Sequence, residues 1–215
     1  MLSTDKSVIP VCKPKLPSYK EIIPYLKKID NNRFYSNFGP LSNSLEERIS
    51  QRLGYSKNVV ALSSSGTQAL ETALKMWDFP AGSKIICPSW TFIASAQAIL
   101  NAGFVPEFVD VELENWWLDI SLVKNSIIND KSIKGVVIVA PFGNIPNIQE
   151  WEELSQDFNV KIIMDAAAAS IDDLQVSKII PTMLSLHATK TLTAGEGGLI
   201  IFDNDDYIYA FKQKI

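Results

Sequence analysis

VVALSSSGTQALETALKMW, residues 59–77, changes its hydrophobic period midway. Its first residues, VVALS, form the short continuous apolar run of a buried strand. From Thr67 onward, Ala69, Leu70, Ala73, Leu74 and Trp77 recur at helical spacing and mark one buried helix face. Only small residues, Ser63 to Gly66, connect the two. A strand that turns tightly into a helix is the opening unit of a largely parallel sheet wrapped by helices.

The same alternation repeats downstream. KIICP reads as a strand ended by Pro88, TFIASAQAILNAG as a helix closed by Gly103, and VPEFVDV as the next strand. DISLVKNSII then predicts a helix before the strand GVVIVAPFG. NIQEWEELSQDF aligns Ile148, Trp151, Leu154 and Phe158 on one face before the strand KIIMD, and TMLSLH and GLIIFD complete the set. Residues 56–215 are therefore expected to form one large α/β domain, and residues 1–55 an N-terminal arm with helices. In that arm SYKEIIPYLKKID predicts a short amphipathic helix interrupted at Pro24. SNSLEERISQRLG predicts a second, with Ser42 or Ser44 as N-cap and Gly54 just past its end. The aromatic segment between them, RFYSNFGPLSN, reads as a loop.

Composition narrows the function classes. With 215 residues, 47% of them hydrophobic, the chain is long enough to bury a sizeable core. A net charge of −4 with scattered lysines and arginines offers no basic surface for a nucleic acid. One histidine and two distant cysteines, Cys12 and Cys87, make no metal-ligand set and read as free thiols of a reducing compartment. The N-terminus lacks the apolar core of a secretory signal, and no stretch approaches the roughly 20 apolar residues that span a bilayer. The expected location is the cytoplasm, away from membrane.

Three short segments carry chemistry. In SSSGTQAL the helix start leaves backbone N–H groups unpaired, Gly66 permits close approach and Thr67 adds a hydroxyl, together a cup for a phosphate. The same residues also read as an ordinary helix N-cap by Ser64, Ser65 or Thr67. In IIMDAAAAS, Asp165 ends a strand where α/β folds place ligand contacts, and the alanines after it leave room for a flat ring. Asp165 reads equally as a helix N-cap. In SLHATKTLTAGEGG, Lys190 lies between an apolar strand and a glycine-rich turn, either as a solvated loop lysine or as a reactive amine. Phosphate cup, carboxylate and amine, in that order, match the needs of pyridoxal phosphate.

These segments, with CPSWTFIASAQAIL, EFVDVE and the upstream SNFGPLSNSLEERI, resemble the DegT/StrS family of nucleotide-sugar aminotransferases of pyridoxal phosphate fold type I. The resemblance runs from about residue 34 to the end. It implies a three-layer α/β large domain with a mostly parallel central sheet. It also implies that Ser65, Gly66, Thr67 and Ser185 hold the cofactor phosphate, that Phe92 stacks on the pyridine and that Asp165 pairs with its nitrogen. Lys190 would carry the cofactor covalently, and its presence argues against a dehydratase branch that has histidine there.

By the same resemblance, the chain would move an amino group from glutamate to a keto sugar linked to a nucleotide, for amino-sugar biosynthesis, as a homodimer. Two departures are visible. Ala168 replaces the glutamine that many members place near the cofactor's 3′-oxygen. The small C-terminal domain of the family is expected to be absent, so the alternatives are a non-catalytic cofactor-binding paralogue or a fragment completed by a second chain. His187 reads as a packing residue or a contact to the substrate region, and Trp116 and Trp117 as interface or core.

Overall fold

Alternate residues along each strand belong to two separate cores, and this parity builds the molecule, whose computed structural model describes residues 12–215. The first residues of the N-terminus, read above for a signal sequence, lie outside the described part. Chain order runs α1 (Tyr19–Asn32), α2 (Pro40–Arg52), β1 (Val60–Ser63), α3 (Gly66–Lys75), β2 (Lys84–Pro88), α4 (Ile93–Asn101) and β3 (Val105–Val109). It continues with α5 (Ile120–Asn129), β4 (Ile133–Val139), α6 (Ile148–Phe158), β5 (Lys161–Asp165), β6 (Thr182–Ser185), β7 (Gly198–Ile201) and α7 (Asp205–Lys212).

The seven strands form one sheet in the order β1-β7-β6-β5-β4-β2-β3. Neighbours from β6 to β3 run parallel, while β7 is antiparallel to both β6 and β1. Val60, Ile86, Val136, Ile138, Ile162, Met164 and Leu184 face one core with Val123, Trp151 and Leu154 of α5 and α6. Ala61, Ile85, Cys87, Val137, Ile163 and Met183 face the other, with Leu70 and Leu74 of α3, Ile99 of α4 and Phe211 of α7. Burial on both faces explains why these strands read as unbroken apolar runs. The result is the expected three-layer α/β fold with a mostly parallel sheet.

β1 is an edge strand, and α2 covers its free side through polar side chains. Glu46, buried in α2, accepts a hydrogen bond from Leu62 N (3.1 Å). Val59 N donates to Ser50 Oγ at 3.1 Å, Asn58 Nδ2 donates to Glu46 at 3.1 Å, and Lys212 of α7 pairs with the same carboxylate. An unprotected edge would leave these backbone donors open to foreign pairing.

Two local expectations are corrected. Pro24 does not interrupt α1; it sits inside a continuous helix that begins with a Ser18–Glu21 capping box. The carbonyl that a proline frees belongs to Lys20, which is exposed on a helix with no buried residue, so water satisfies it. The N-cap of α2 is Gly39, not Ser42 or Ser44, because Pro40 takes the first helical position, where its missing N–H costs nothing. Among the described residues no helix is long and apolar enough to cross a membrane.

Candidate active site

The carboxyl ends of β1, β2, β4, β5 and β6 open on one cavity of about 910 Å³, and Ser65, Phe92, Asp165, Ser185 and Lys190 all line it. Parity explains Asp165: it follows Ile163 on the α3/α4 face of β5, so its side chain is buried, 5% exposed, beneath the start of α4. Ser95 Oγ donates to Oδ2 at 2.7 Å and Ala167 N donates to Oδ1 at 3.1 Å. With Ser95 donating there, its oxygen accepts from Thr91 Oγ1 at 2.8 Å, a relay that ends on the carboxylate. Burial pushes the Asp165 pKa up; Ser95, the Ala167 amide and the charge of Lys190 pull the other way. The N-cap reading of Asp165 fails, since the short helical turn that follows is capped by Ser170.

The cup forms where three strand ends meet. Gly198 pairs with Ser63 on one side and with Ser185 on the other. A Cβ on Gly198 would lie 2.3 Å from Ser65 C and 2.4 Å from Gly66 N, so only glycine lets β7 pass under this peptide. A Cβ on Gly66 would meet Met183 Sδ at 3.0 Å and Ser185 Cβ at 3.2 Å. Ser65 is the N-cap, its Oγ accepting from Gln68 N at 3.1 Å, as the capping reading expected. Gly66 and Thr67 N–H precede the first intrahelical acceptor and remain for a ligand.

Phe92, at the N-cap of α4, is 79% exposed with its ring beside the cavity. Lys190 is half-buried, its amide donating to His187 O at 2.9 Å in the turn after β6. His187 also lines the cavity, with Nδ1 2.9 Å from Thr189 Oγ1 and Nε2 3.6 Å from Glu196. Ala168 lies on the cavity wall at the position of the expected departure. Trp116 and Trp117 are not core: Trp116 is exposed, and Trp117 donates its indole N–H to Asn144 O at 2.9 Å. Sequence reading missed Thr91 and Ser95, although their four-residue spacing at a helix start was the available signal. Among the described residues no cluster of three metal-ligating side chains is found.

A sheet of this order, with an amine, a buried carboxylate and a helix N-terminus around one cavity, defines an α/β protein built to take an anionic, ring-bearing ligand. The chain belongs to the DegT/DnrJ/EryC1/StrS aminotransferase family, whose pattern matches residues 18–213. That family is pyridoxal phosphate-dependent. It is 30% identical over 209 residues to the dTDP-4-amino-4,6-dideoxy-D-glucose transaminase of Shigella dysenteriae, covering 95% of this chain and 54% of that one. With the GDP-perosamine synthase of Escherichia coli O157:H7 it shares 29% identity over 208 residues, covering 94% and 54%. A crystal structure of a Bacillus cereus ATCC 10987 protein assigned as a PLP-dependent aminotransferase superposes with a TM-score of 0.87 at 29% identity, covering 95% and 57%. The chain spans about half the length of the curated relatives it matches.

Proposed function

We propose that the protein carries pyridoxal 5′-phosphate on Lys190 and transfers an amino group from glutamate to a keto sugar linked to a nucleotide. The observation that carries this reading is the convergence of Lys190, Asp165 and the Ser65–Thr67 helix start on one cavity. Relatives named as dTDP- and GDP-sugar enzymes support the substrate class. The donor set fits the cofactor. The groups that touch the buried Asp165 carboxylate, Ser95 Oγ and the Ala167 amide, are neutral donors, and a protonated pyridine nitrogen would add a cation in contact with it. The cradle at Gly66 and Gly198 is one that a Cβ would fill.

Bound there, the cofactor supplies a carbonyl for amine exchange and a ring that accepts an electron pair. Gly66 N–H, Thr67 and Ser185 hold the phosphate at the positive end of α3. Phe92 flanks the ring, and Asp165, oriented by Ser95, keeps the ring-nitrogen proton in place. Lys190 would hold the cofactor through its amine, and that amine, when free, would move the proton at the donor's Cα. His187 and Glu196, on the same wall, border the space left for the acceptor.

The test is direct. Purified protein mixed with pyridoxal phosphate is reduced with borohydride and the modified peptide is identified; the expected label is on Lys190, and Lys190→Ala loses it. A label on another lysine rejects the assignment. Glutamate should then convert the unreduced complex to pyridoxamine phosphate. Cofactor held on Lys190 with no such conversion would identify a chain that binds without turnover.

A further inference from the structure

Trp90, Trp116 and Phe142 stand in one edge-to-face series at the cavity mouth, and the function proposed above gives none of them a part in holding the cofactor. Ring centroids are 5.3 Å apart between Trp90 and Trp116 and 5.5 Å between Trp116 and Phe142. Trp90 and Phe142 line the cavity itself. The three rings come from separate loops, after β2, before α5 and after β4. Two of those loops are tied together, Trp117 Nε1 donating to Asn144 O at 2.9 Å and Asn144 Nδ2 to Asn115 O at 3.5 Å.

Backbone conformation adds a second observation. Trp116 and Phe142 have φ of 62° and 54°, a region that bulky side chains rarely adopt. Phe142 is nonetheless 76% exposed, so this unusual backbone buys no burial of the ring. Strained residues of this kind cluster at ligand sites. At about 910 Å³ the cavity lies near the upper end of the roughly 300–1,000 Å³ range of small-molecule sites, with room for a second molecule beside the cofactor.

We infer that this aromatic wall binds the nucleobase of the nucleotide-linked acceptor by stacking, and that it does so without separating purine from pyrimidine. The inference rests on the function proposed above. Lys190 is the only lysine or arginine among the residues lining the cavity, and it is committed to the cofactor. The lining of this chain therefore offers a nucleotide ring faces rather than cations for its diphosphate. The amides beside the wall are already engaged: Asn115 Oδ1 accepts from Trp117 N at 2.8 Å, its Nδ2 donates to Glu112, and Asn144 Nδ2 is in the loop tie. With Asn115 committed at both ends of its carboxamide and Asn144 Nδ2 drawn into the loop tie, recognition falls chiefly to the π-face, which every base has.

The experiment titrates cofactor-loaded protein with UDP, GDP and free glucose, following tryptophan fluorescence and equilibrium dialysis. UDP and GDP are expected to bind with affinities within about fivefold of each other, and glucose at the same concentrations to leave the signal unchanged. Phe142→Leu and Trp90→Leu should each weaken both nucleotides by roughly tenfold or more, the effect of losing a stacking ring. Borohydride labelling of Lys190 should be unchanged in both variants, which shows that they fold. A preference above about 30-fold for one base, undiminished binding in both variants, or quenching by glucose equal to that by UDP overturns the inference. So does a loss of binding in Phe142→Leu accompanied by a halved mass in light scattering, because the wall then belongs to a subunit contact. Labelled Lys190 without nucleotide binding removes the wall and leaves the cofactor assignment standing; stacked nucleotide without a labelled lysine does the reverse.

Discussion

Asp165 is held by Ser95 and Ala167 in surroundings that disfavour its charge. Its folded pKa lies above the ordinary carboxylate value, so the folded chain holds this proton more tightly than the unfolded chain does. That contribution to stability is complete below the unfolded value, near pH 4, and is lost as pH rises through the folded one. In cofactor-free protein the melting temperature of wild type minus that of Asp165→Asn should therefore fall between pH 4 and pH 8. A difference that rises with pH would contradict the burial. With cofactor bound, the same substitution should spare labelling of Lys190 yet slow the glutamate half-reaction by about 100-fold or more. Equal half-reaction rates would remove Asp165 from its role. Cys87 lies on the same face of the sheet, and burial and the charge of Asp165 push its thiol up to about 12. Alkylation of native protein at pH 8 should mark Cys12, which is exposed, and leave Cys87 unmodified.

The cup depends on β7 passing directly beneath the start of α3, so Gly198→Ala sets side chain against backbone. The expected cost is about 1–3 kcal/mol, seen as a fall of roughly 2–12 °C in melting temperature. Cofactor affinity should fall further than stability, because the displaced atoms are those of Ser65 and Gly66. On the opposite side of β1, Glu46→Ala strands Leu62 N–H and leaves Lys212 without its buried partner. Urea denaturation should show a loss of roughly 3–5 kcal/mol, and an unchanged midpoint would mean that α2 holds the edge by packing alone. The strands and helices around this edge were legible because each buries apolar residues at a fixed period. The polar devices between them were not: Glu46 reads in sequence as one more surface acid of an amphipathic helix, and only the sheet order brings it to Leu62. The site divides the same way. Asp165 and Lys190 stood out as candidates by their places after apolar strands, and the fold puts both on the cavity wall, whereas Thr91 and Ser95 meet a carboxylate 70 residues from Ser95 in the chain. The helix ends went astray where a proline overrode the neighbouring serines, at Pro40, and where exposure excused one, at Pro24.

Across the whole molecule, α1 buries none of its residues, and Ile22, Ile23 and Leu26 are exposed along it. An amphipathic helix with its apolar side in water is costly for an isolated chain, and a second copy would cover it. Light scattering at micromolar concentration should give twice the chain mass of 23.9 kDa, and removal of residues 1–36 should shift the mass toward one chain. A single-chain mass for the intact protein would count against self-association. The antiparallel placement of β7 has its own consequence, in time rather than in space. Among the described residues β1 has no other strand partner, and its register joins Val60 to Ile201, so β1 must wait for β7 to be made. Contacts of such long sequence separation close late in folding. A growing chain displays Ser63 to Thr67 long before β7 exists to hold them, and the proposed seat for a phosphate is unfinished until residues 198–201 have left the ribosome. Cofactor capture at this seat would thus report that β7 has been made, and every intermediate that lacks β7 would leave the cofactor unbound.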